Sequence, residues 1–380
     1  MRLVILSSFV SSILARGTHA HADAPVDFID DARQLLVVGA CAEGTAPVAP
    51  KIYAAHCKAV TAAQHSYRDN WIAPAREFFA AHVPATIPTQ VVYPFAGGDL
   101  SSVLTVFPRA EEITTLSLEP AGDPRGLRTL PARQVKLALR VVATELTSLY
   151  ESNFSRTLAM IDAMRAGKLP TQLIFSLSAL SLHGYEPTQL RYFELSEQGA
   201  IRYLTAADLT RIDAIKDTSK RNRALANMEL QFRKRGTTRV QTYRHIMANL
   251  DDVHLKTTPN ALRYLETKPR IAAMTKAASF LLAFDAFTRI RSYLLERTDW
   301  MVSDASGVAP KWGKPAGFEY ETYGTFARAE MDAGIAITPS WKAEFDRQPK
   351  RPLEFRFGYP DVNFKHNLIV MRRTDNAVAH

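Results

Sequence analysis

Apolar residues recur at steps of three or four positions in two long stretches of the chain, a pattern typical of amphipathic helices. The first stretch covers residues 132–166, where Asn153 or Ser155 is placed to divide a helix and Gly167 to stop it. The second stretch covers about 272–296 and carries its large apolar side chains on one face. The pattern therefore predicts two long helices, each with one buried face.

Short β-rich runs elsewhere in the chain end at glycine or proline, as strands commonly do. The first two runs, 89–94 and 112–118, enclose a double-glycine turn and a short helix at 100–106, which Asp99 is placed to cap. Further strand candidates are residues 189–195, 200–204, 227–234, 238–246, 300–302, 353–357 and 367–371. Because strands and helices are interspersed, the sequence predicts an α/β fold with a Rossmann-like mixed sheet flanked by helices.

The part of the chain before the first predicted strand has a different character. Residues 23–88 are predicted to form a helical N-terminal region, which Pro84 and Pro88 end. The expected organisation is a signal peptide at 1–22, this helical region, and a Rossmann-like α/β domain at 89–380.

The first 22 residues have the parts of a secretory signal. Arg2 gives a positive start, the apolar run from Leu3 to Ala15 follows, and small residues stand at Ala20 and Ala22 before a cleavage position. The run is shorter than the roughly 20 apolar residues that span a bilayer. The sequence therefore predicts cleavage near Ala22 and a periplasmic or secreted protein without a transmembrane segment. A buried N-terminal helix is the alternative.

Composition supports a folded chain and narrows the chemistry. Hydrophobic residues make up 47% and charged residues 22% of the 380 residues, which argues against a mainly disordered protein. In an oxidising compartment Cys41 and Cys57 are predicted to form a disulfide. The alternative is two free thiols that make an incomplete metal-ligand set with His56. We predict no metal site.

Charge is concentrated in one segment. The chain has a formal net charge of +9, and residues 211–240 hold nine Lys or Arg against three acids. This segment is a candidate docking surface for an anionic envelope component. The alternative is a solvated basic face with a hairpin turn. No nucleic-acid-binding motif accompanies the charge.

The predicted sheet also places a first candidate site. In a Rossmann-like sheet, the turn after the first strand and the acid that ends the second strand face the ligand. Those positions hold Gly97, Gly98 and Asp99 in the turn and Glu119 after the second strand, with Tyr93 beside them. The turn is not G-x-G-x-x-G. The alternatives are a helix cap for Asp99, a turn acid for Glu119 and a core position for Tyr93.

A second candidate cluster consists of Lys276, Arg289, Asp304 and Ser306. The two basic residues would bind an anion if they faced the crevice, and paired or solvated surface charge is the alternative. The segment DASG at 304–307 is similar to a nucleophile loop but lacks the first glycine of G-x-S-x-G. Candidate histidine partners for a hydrolytic serine are His183, His245, His254 and His366. Otherwise Asp304 and Ser306 form a turn by bonding the backbone.

Several segments together resemble an uncharacterised family of bacterial exported proteins. These are VVYPFAGGDLSSVLTVFP at 91–108, LSLEPAGDP at 116–124, KAASFLLAFDAFTRIRSYLL at 276–295, SDASGVAP at 303–310, YGTF at 323–326, FRFGYP at 355–360 and NLIVMRR at 367–373. The family pattern has two acids before Ser-Gly, whereas this chain has Asp304 followed by Ala305, which weakens any role that needs paired carboxylates.

The early region of this family is similar to a class I methyltransferase-type Rossmann sheet. The resemblance implies that Glu119 takes the place of the ribose-binding acid and that Asp99 lies near the cofactor loop. Export argues against such a use, because S-adenosylmethionine and dinucleotides are cytosolic metabolites. The resemblance implies no established activity, and we predict no particular cofactor.

The leading expectation is therefore an exported protein that binds a small ligand or an envelope component in a crevice near Asp99 and Glu119, without catalysis. The first alternative is an enzyme, either a methyltransferase-like transferase or a serine hydrolase using Ser306. The second is an interaction protein docked through residues 211–240.

Overall fold

The computed structural model describes residues 24–154, 157–326, 337–359 and 365–374. The predicted signal peptide at 1–22, with its cleavage position near Ala22, lies outside the described residues. No helix in the described ranges is both long and apolar enough to cross a membrane.

Ten strands form a single mixed sheet. They are β1 (Gln90–Pro94), β2 (Glu112–Ser117), β3 (Tyr185–Leu195), β4 (Ile201–Tyr203), β5 (Asn227–Lys234), β6 (Val240–Met247), β7 (Ile271–Thr275), β8 (Thr298–Ser303), β9 (Phe318–Gly324) and β10 (Asn367–Arg373). Their order in space is β4-β3-β5-β6-β2-β1-β7-β8-β10-β9. The predicted α/β fold with a helix-flanked mixed sheet is confirmed.

The helices surround this sheet. They are α1 (Ile29–Ala40), α2 (Pro50–Tyr67), α3 (Ala73–His82), α4 (Leu100–Val106), α5 (Gly126–Thr129), α6 (Ala132–Ser152), α7 (Thr157–Gly167), α8 (Thr171–Leu182), α9 (Ala206–Asp213), α10 (Thr218–Ala224), α11 (Asp252–Thr257), α12 (Asn260–Glu266), α13 (Thr288–Arg297), α14 (Pro310–Gly313) and α15 (Thr338–Arg347).

The middle of the sheet is parallel. Strands β6, β2, β1, β7 and β8 pair in parallel, whereas the strands outside them pair antiparallel. Numbered by their own chain order, these five strands stand as 3-2-1-4-5, the order of the doubly wound nucleotide-binding fold. The chain reverses its winding direction between β1 and β7, and in such folds ligands bind at the carboxyl ends of the strands near that point.

Both faces of the central strands are covered, as parallel sheets require. Val91 and Tyr93 of β1 pack into one core with buried residues of α1–α8, while Val92 packs into a second core with residues of α11–α13 and α15. The strands β1 and β7 are almost continuously apolar, because each face of the pleat meets a helical layer.

The helical N-terminal region packs onto this sheet. Tyr67, Trp71 and Phe79 belong to the same core as the first face of β1. Between α2 and α3 the chain forms a π-helical turn at Arg68–Ile72, which carries Trp71. A disulfide joins Cys41, at the end of α1, to Cys57 in α2, so the predicted pairing is confirmed.

Two predicted elements are wrong. The single helix expected at 272–296 is strand β7, followed by 3₁₀-helical segments at Ala277–Ala283 and Asp285–Phe287 and then α13. Its first residues are fully buried between β1 and β8, and pairing inside the sheet overrides their local helical spacing. Residues 353–357 form no strand. Their Phe355 and Phe357 are instead fixed by burial in the core.

Candidate functional site

The double-glycine turn after β1 lies under helix α8. A side chain at Gly98 would place its Cβ 2.2 Å from Cδ2 of Phe175, so the glycine permits close packing of this helix. The amide of Gln172, in the first turn of α8, donates to the carbonyl of Gly97 at 3.1 Å. The chain's own helix therefore takes the close approach that a glycine turn offers to a phosphate in nucleotide-binding proteins.

Asp99, the last residue of this turn, forms a buried ion pair with Lys276. Lys276 follows β7, which pairs directly with β1, so two neighbouring strands bring both residues to one edge of the sheet. The Lys276 Nζ to Asp99 Oδ2 distance is 2.6 Å, and the two side chains are 0% and 1% exposed. Members of the two clusters predicted from the sequence thus meet in one place.

The Lys276 ammonium has an acceptor for each of its three N–H groups. Besides Asp99, it donates to the hydroxyl of Ser102 at 2.7 Å and to the side-chain oxygen of Asn153. The Asp99 carboxylate also accepts the backbone N–H of Ser102 and thereby caps α4, as predicted. We call these four residues, Asp99, Ser102, Asn153 and Lys276, the buried lysine centre.

Burial controls the electrostatics of this centre. Loss of hydration lowers the pKa of Lys276, and the nearby carboxylates of Asp99 and Asp304 oppose that shift. Burial likewise raises the pKa of Tyr93, and the charge of Asp99 raises it further. The Tyr93 hydroxyl lies 3.4 Å from Asp99 Oδ2, so Tyr93 belongs both to the core and to the surroundings of the pair.

Asp304 holds a turn next to the centre. One carboxylate oxygen accepts the backbone N–H groups of Ala277 and Tyr359, each at 3.0 Å. The other accepts the backbone N–H of Ser306 at 2.9 Å and the Ser306 hydroxyl. Burial raises the pKa of Asp304, whereas these hydrogen bonds lower it. This is the turn that the sequence offered as the alternative to a nucleophile loop: Asp304 accepts hydrogen bonds from backbone N–H groups, and the Ser306 hydroxyl donates to the Asp304 carboxylate.

Glu119 lies apart from this centre in its hydrogen bonding. Its side chain is 2% exposed, and neither carboxylate oxygen has a hydrogen-bond partner among the described residues. Its backbone carbonyl accepts from Nε2 of His245 at 2.7 Å. Gln172 of α8 contacts that histidine at 3.3 Å. Asp99 and Glu119 were predicted to line one crevice, but their side chains share no hydrogen-bond partner among the described residues.

Arg289 is an exposed residue near the start of α13. Its backbone N–H donates to Asp252 at 2.9 Å. The predicted association of Arg289 with Lys276 depended on one continuous helix from 272 to 296, and the strand at 271–275 removes that geometry.

A buried serine–histidine contact occurs elsewhere, between Ser101 Oγ and Nε2 of His183 at 3.1 Å. On the other side of the ring, Arg76 lies 2.6 Å from Nδ1. A guanidinium only donates, so Nδ1 accepts and Nε2 must carry the proton. Burial also lowers the pKa of His183 to about 3. This histidine is therefore held in the wrong tautomer to take a proton from Ser101.

A cleft of about 670 Å³ opens beside the buried lysine centre. Its lining includes Tyr67 and Trp71 from the N-terminal helices, Tyr150 and Asn153 at the end of α6, and Arg356 from the segment between α15 and β10, which we call the late loop. Asn153 is therefore both a wall of the cleft and a partner of Lys276. The cleft volume lies within the range of small-molecule sites.

Stacked aromatic rings line part of the cleft wall. Tyr67 stacks with Trp71 and with Tyr150, at ring-centroid distances of 5.1 and 4.9 Å. Nζ of Lys276 lies 5.7 Å from the Trp71 ring centroid. The indole N–H of Trp71 donates to the carbonyl of Arg356 at 2.6 Å, which ties the N-terminal helices to the late loop. Exposed acids and bases surround this wall, including Glu151, Glu354 and Arg356.

Sequence reasoning missed Tyr67, Trp71, Ser102 and Asn153. One signal was present, because Asn153 was recognised as a break in the helical pattern. Asn153 adopts a left-handed conformation with φ of 60° at the end of α6, and asparagine tolerates that region better than most residues. The other three gave no local signal of a site, because the site also needs partners from distant parts of the chain, such as Lys276 for Ser102.

The candidate metal ligands Cys41, His56 and Cys57 form a disulfide and hydrogen bonds within the protein. Ligand atoms of Cys41, His56 and Cys57 lie within 4.8 Å of one another. The two sulfurs form a disulfide, so they offer no thiolate to a metal. The His56 ring contacts the carbonyls of Leu139 and Gly39.

The basic residues of segment 211–240 are partly paired with acids. Five of its nine Lys and Arg residues lie within ion-pair distance of a carboxylate, in the pairs Arg211–Asp208, Arg221–Asp123, Arg233–Glu186, Arg235–Glu43 and Arg239–Glu111. The segment runs through α9, α10 and the β5–β6 hairpin, so its charges are spread over several elements.

No protein-family model matches the chain, and neither a curated protein nor a solved structure matches it at a significant level. The chemistry of this chain's own residues is therefore the basis for proposing its function.

Proposed function

We propose that this protein binds a small polar ligand in the cleft beside the buried lysine centre, without catalysis. One observation carries the proposal: the cleft is walled by Asn153, whose side chain is fixed from behind by the Asp99–Lys276 ion pair. Pre-organised polar groups at the base of an aromatic-walled cleft are typical of ligand sites. Asp99 thus contributes to binding through its partner.

The proposal includes a location outside the cytosol. The Cys41–Cys57 disulfide is of the kind that persists in oxidising compartments. Together with the signal-like segment before Ala22, it supports a periplasmic or secreted protein whose ligand is a small molecule or an envelope component. N-terminal sequencing of the protein purified from its native host tests this, since a mature chain that retains Met1 contradicts export by signal cleavage.

Blocking the cleft tests ligand binding directly. Ser66 is an exposed residue of the cleft wall, and Ser66→Trp adds an indole there without entering the core. The neighbouring residue His65 is exposed and is no part of that wall, so His65→Trp is a matched control. Native mass spectrometry of protein from its native compartment is expected to show a retained small molecule in wild type and His65→Trp, and its loss in Ser66→Trp. Equal retention in all three places the ligand elsewhere.

A second candidate function, a methyltransferase-like transferase, is favoured by the 3-2-1-4-5 order of the parallel strands and by the unpartnered Glu119 carboxylate after β2. The packing of Phe175 against Gly98 opposes it. Calorimetry with S-adenosylmethionine decides the matter: the transferase requires a heat of binding that disappears in Glu119→Gln. A folded wild-type protein that gives no heat excludes it.

A further inference from the structure

The amide group of Asn153 is oriented by the buried lysine centre. Its side-chain oxygen accepts from Nζ of Lys276 and lies 3.5 Å from the hydroxyl of Ser102. Both neighbours on that side are donors, so the amide oxygen must face them and the NH₂ group must face away. Because Asp99 holds Lys276 in place, the orientation of this one amide depends on the whole centre.

The NH₂ group of Asn153 has no hydrogen-bond partner in the described part of the chain. The residue is 1% exposed, and it lies in the wall of the cleft. A buried donor without an acceptor costs about 1–3 kcal/mol, so its retention calls for a reason. A ligand acceptor that approaches through the cleft supplies the missing partner.

From this geometry we propose, on the basis of the proposed function, that the cleft selects ligands carrying a carbonyl or carboxylate oxygen, which accepts a hydrogen bond from Asn153 Nδ2. Lys276 acts as a positioning residue that prevents the amide from turning its oxygen toward the ligand. Little of the NH₂ group is accessible, so binding includes a side-chain shift at the base of the cleft, as is common in binding sites.

The charge of the centre does not by itself require an anionic ligand. Lys276 is neutralised by Asp99, and the exposed charges of the cleft wall include acids, such as Glu151 and Glu354, as well as the base Arg356. Neutral carbonyl ligands and anionic carboxylate ligands both offer an oxygen acceptor, and the centre therefore recognises that acceptor. Neutral and anionic probe molecules separate the two ligand classes.

Three probes of similar size test the inference: benzamide, benzoate and benzylamine. Benzamide and benzoate present acceptor oxygens, whereas protonated benzylamine presents donors only. The protein is labelled with ¹⁵N-asparagine and ¹⁵N-tryptophan, and its side-chain amide and indole N–H signals, assigned with Asn153→Asp and Trp71→Phe, are followed during titration. Benzamide or benzoate is expected to shift the Asn153 signal saturably, and benzylamine is not. The stronger binder of the first two tells whether a neutral or an anionic source is preferred.

Variants of Asn153 and Lys276 test whether the orientation of the Asn153 amide, and not only its role in folding, controls binding. Asn153→Asp is nearly isosteric and replaces the donor with an acceptor, so acceptor probes should bind about tenfold more weakly. Asn222→Asp, on α10, makes the same chemical change elsewhere and should alter binding by less than about threefold. In the paired variant Lys276→Met with Asp99→Asn, the amide is free to turn. We expect its preference for benzamide over benzylamine to disappear, an effect that a purely structural role would not produce.

The outcomes distinguish this inference from the proposed function. If benzamide shifts the indole N–H signal of Trp71 but leaves Asn153 unchanged, ligands enter the cleft without using the amide and the inference is overturned. If benzylamine binds through Asn153 as well as benzamide does, the selection for acceptors is wrong. If none of the probes shifts Trp71 or Asn153, both the acceptor inference and binding in this cleft are rejected.

Discussion

Two buried acids at the ends of neighbouring strands have opposite surroundings. Asp99, after β1, holds Lys276 and caps α4, whereas Glu119, after β2, has a carboxylate without a partner among the described residues. Both are almost fully buried, so the difference does not come from exposure. It comes from the next strand in the sheet, because β7 brings a lysine to Asp99 while β6 brings His245 to the backbone of Glu119.

This comparison shows why burial alone does not identify a functional carboxylate. A buried charge is tolerated when a counter-charge and hydrogen bonds accompany it, and it is costly when they do not. The paired acid supports a cleft, and its partner orients a cleft residue. The unpaired acid is a cost to stability in the absence of a binding partner. Four experiments test this difference between the two acids.

The largest effect is expected from Lys276→Met. The substitution leaves Asp99 buried and without its cation, so the free energy of unfolding should fall by about 3–5 kcal/mol in urea denaturation. Adding Asp99→Asn should restore much of this loss, because asparagine also caps helices without a charge. A single variant that is as stable as wild type would show that the pair carries no such energy. Lys342→Met, which removes an exposed lysine, serves as the control.

The second effect is the loss of stability at acid pH caused by His245, which bonds the backbone of Glu119. Burial lowers the pKa of His245 to about 4, below its ordinary value of 6.5. As the pH falls through 6.5, the unfolded chain takes up this proton before the folded chain does, so stability is lost between pH 6.5 and 4. The loss is roughly 3 kcal/mol for this group. In His245→Gln the fall in unfolding free energy over that pH range should be smaller by this amount, whereas equal slopes would contradict the shift.

The third effect has the opposite sign to the first. Glu119→Met replaces an unpartnered carboxylate by an apolar side chain of similar length, and should raise the free energy of unfolding by about 1–3 kcal/mol. The matched control is Glu112→Met at the start of β2, where the carboxylate pairs with Lys268 and Arg244 and its loss should destabilise the protein. If both variants lose stability alike, Glu119 has a partner of its own.

The smallest effect is expected from Arg289→Ala. This exposed residue lies on α13, away from the ion pair, so unfolding free energy should change by less than about 0.5 kcal/mol. Retention of the cleft ligand should also be unchanged in native mass spectrometry. A marked loss of ligand would restore Arg289 to the site that the sequence pattern suggested.

Part of the fold was predictable because it depends on local signals. Residues 89–118 form a strand, a glycine turn, a capped helix and a second strand. Apolar runs, the double glycine and the capping residue Asp99 indicate this order in the sequence. The stretch 272–296 shows the limit of such signals. Its apolar spacing suits a helix, yet residues 271–275 are placed between two strands, and complete burial in the sheet decides their conformation.

The site itself was predictable only in pieces. Asp99 and Lys276 were each recognised, but in separate clusters, and Asn153 was recognised only as a helix break. Nothing in local periodicity tells that the side chains of Ser102 and Lys276, 174 residues apart, lie in contact. Their meeting follows from the order of strands in the sheet, which distant pairing sets.

The class of the fold and the limits of the early elements could be read from the sequence, because they depend on neighbours within a few positions. The cysteine pair could be read from it because the chain has only two cysteines. Three features depend on the tertiary structure: the acid that is neutralised, the packing of α8 on the glycine turn, and the face of the Asn153 amide that meets the cleft. A buried charge or amide is stabilised by the groups around it in space, and a parallel sheet brings those groups from far along the chain.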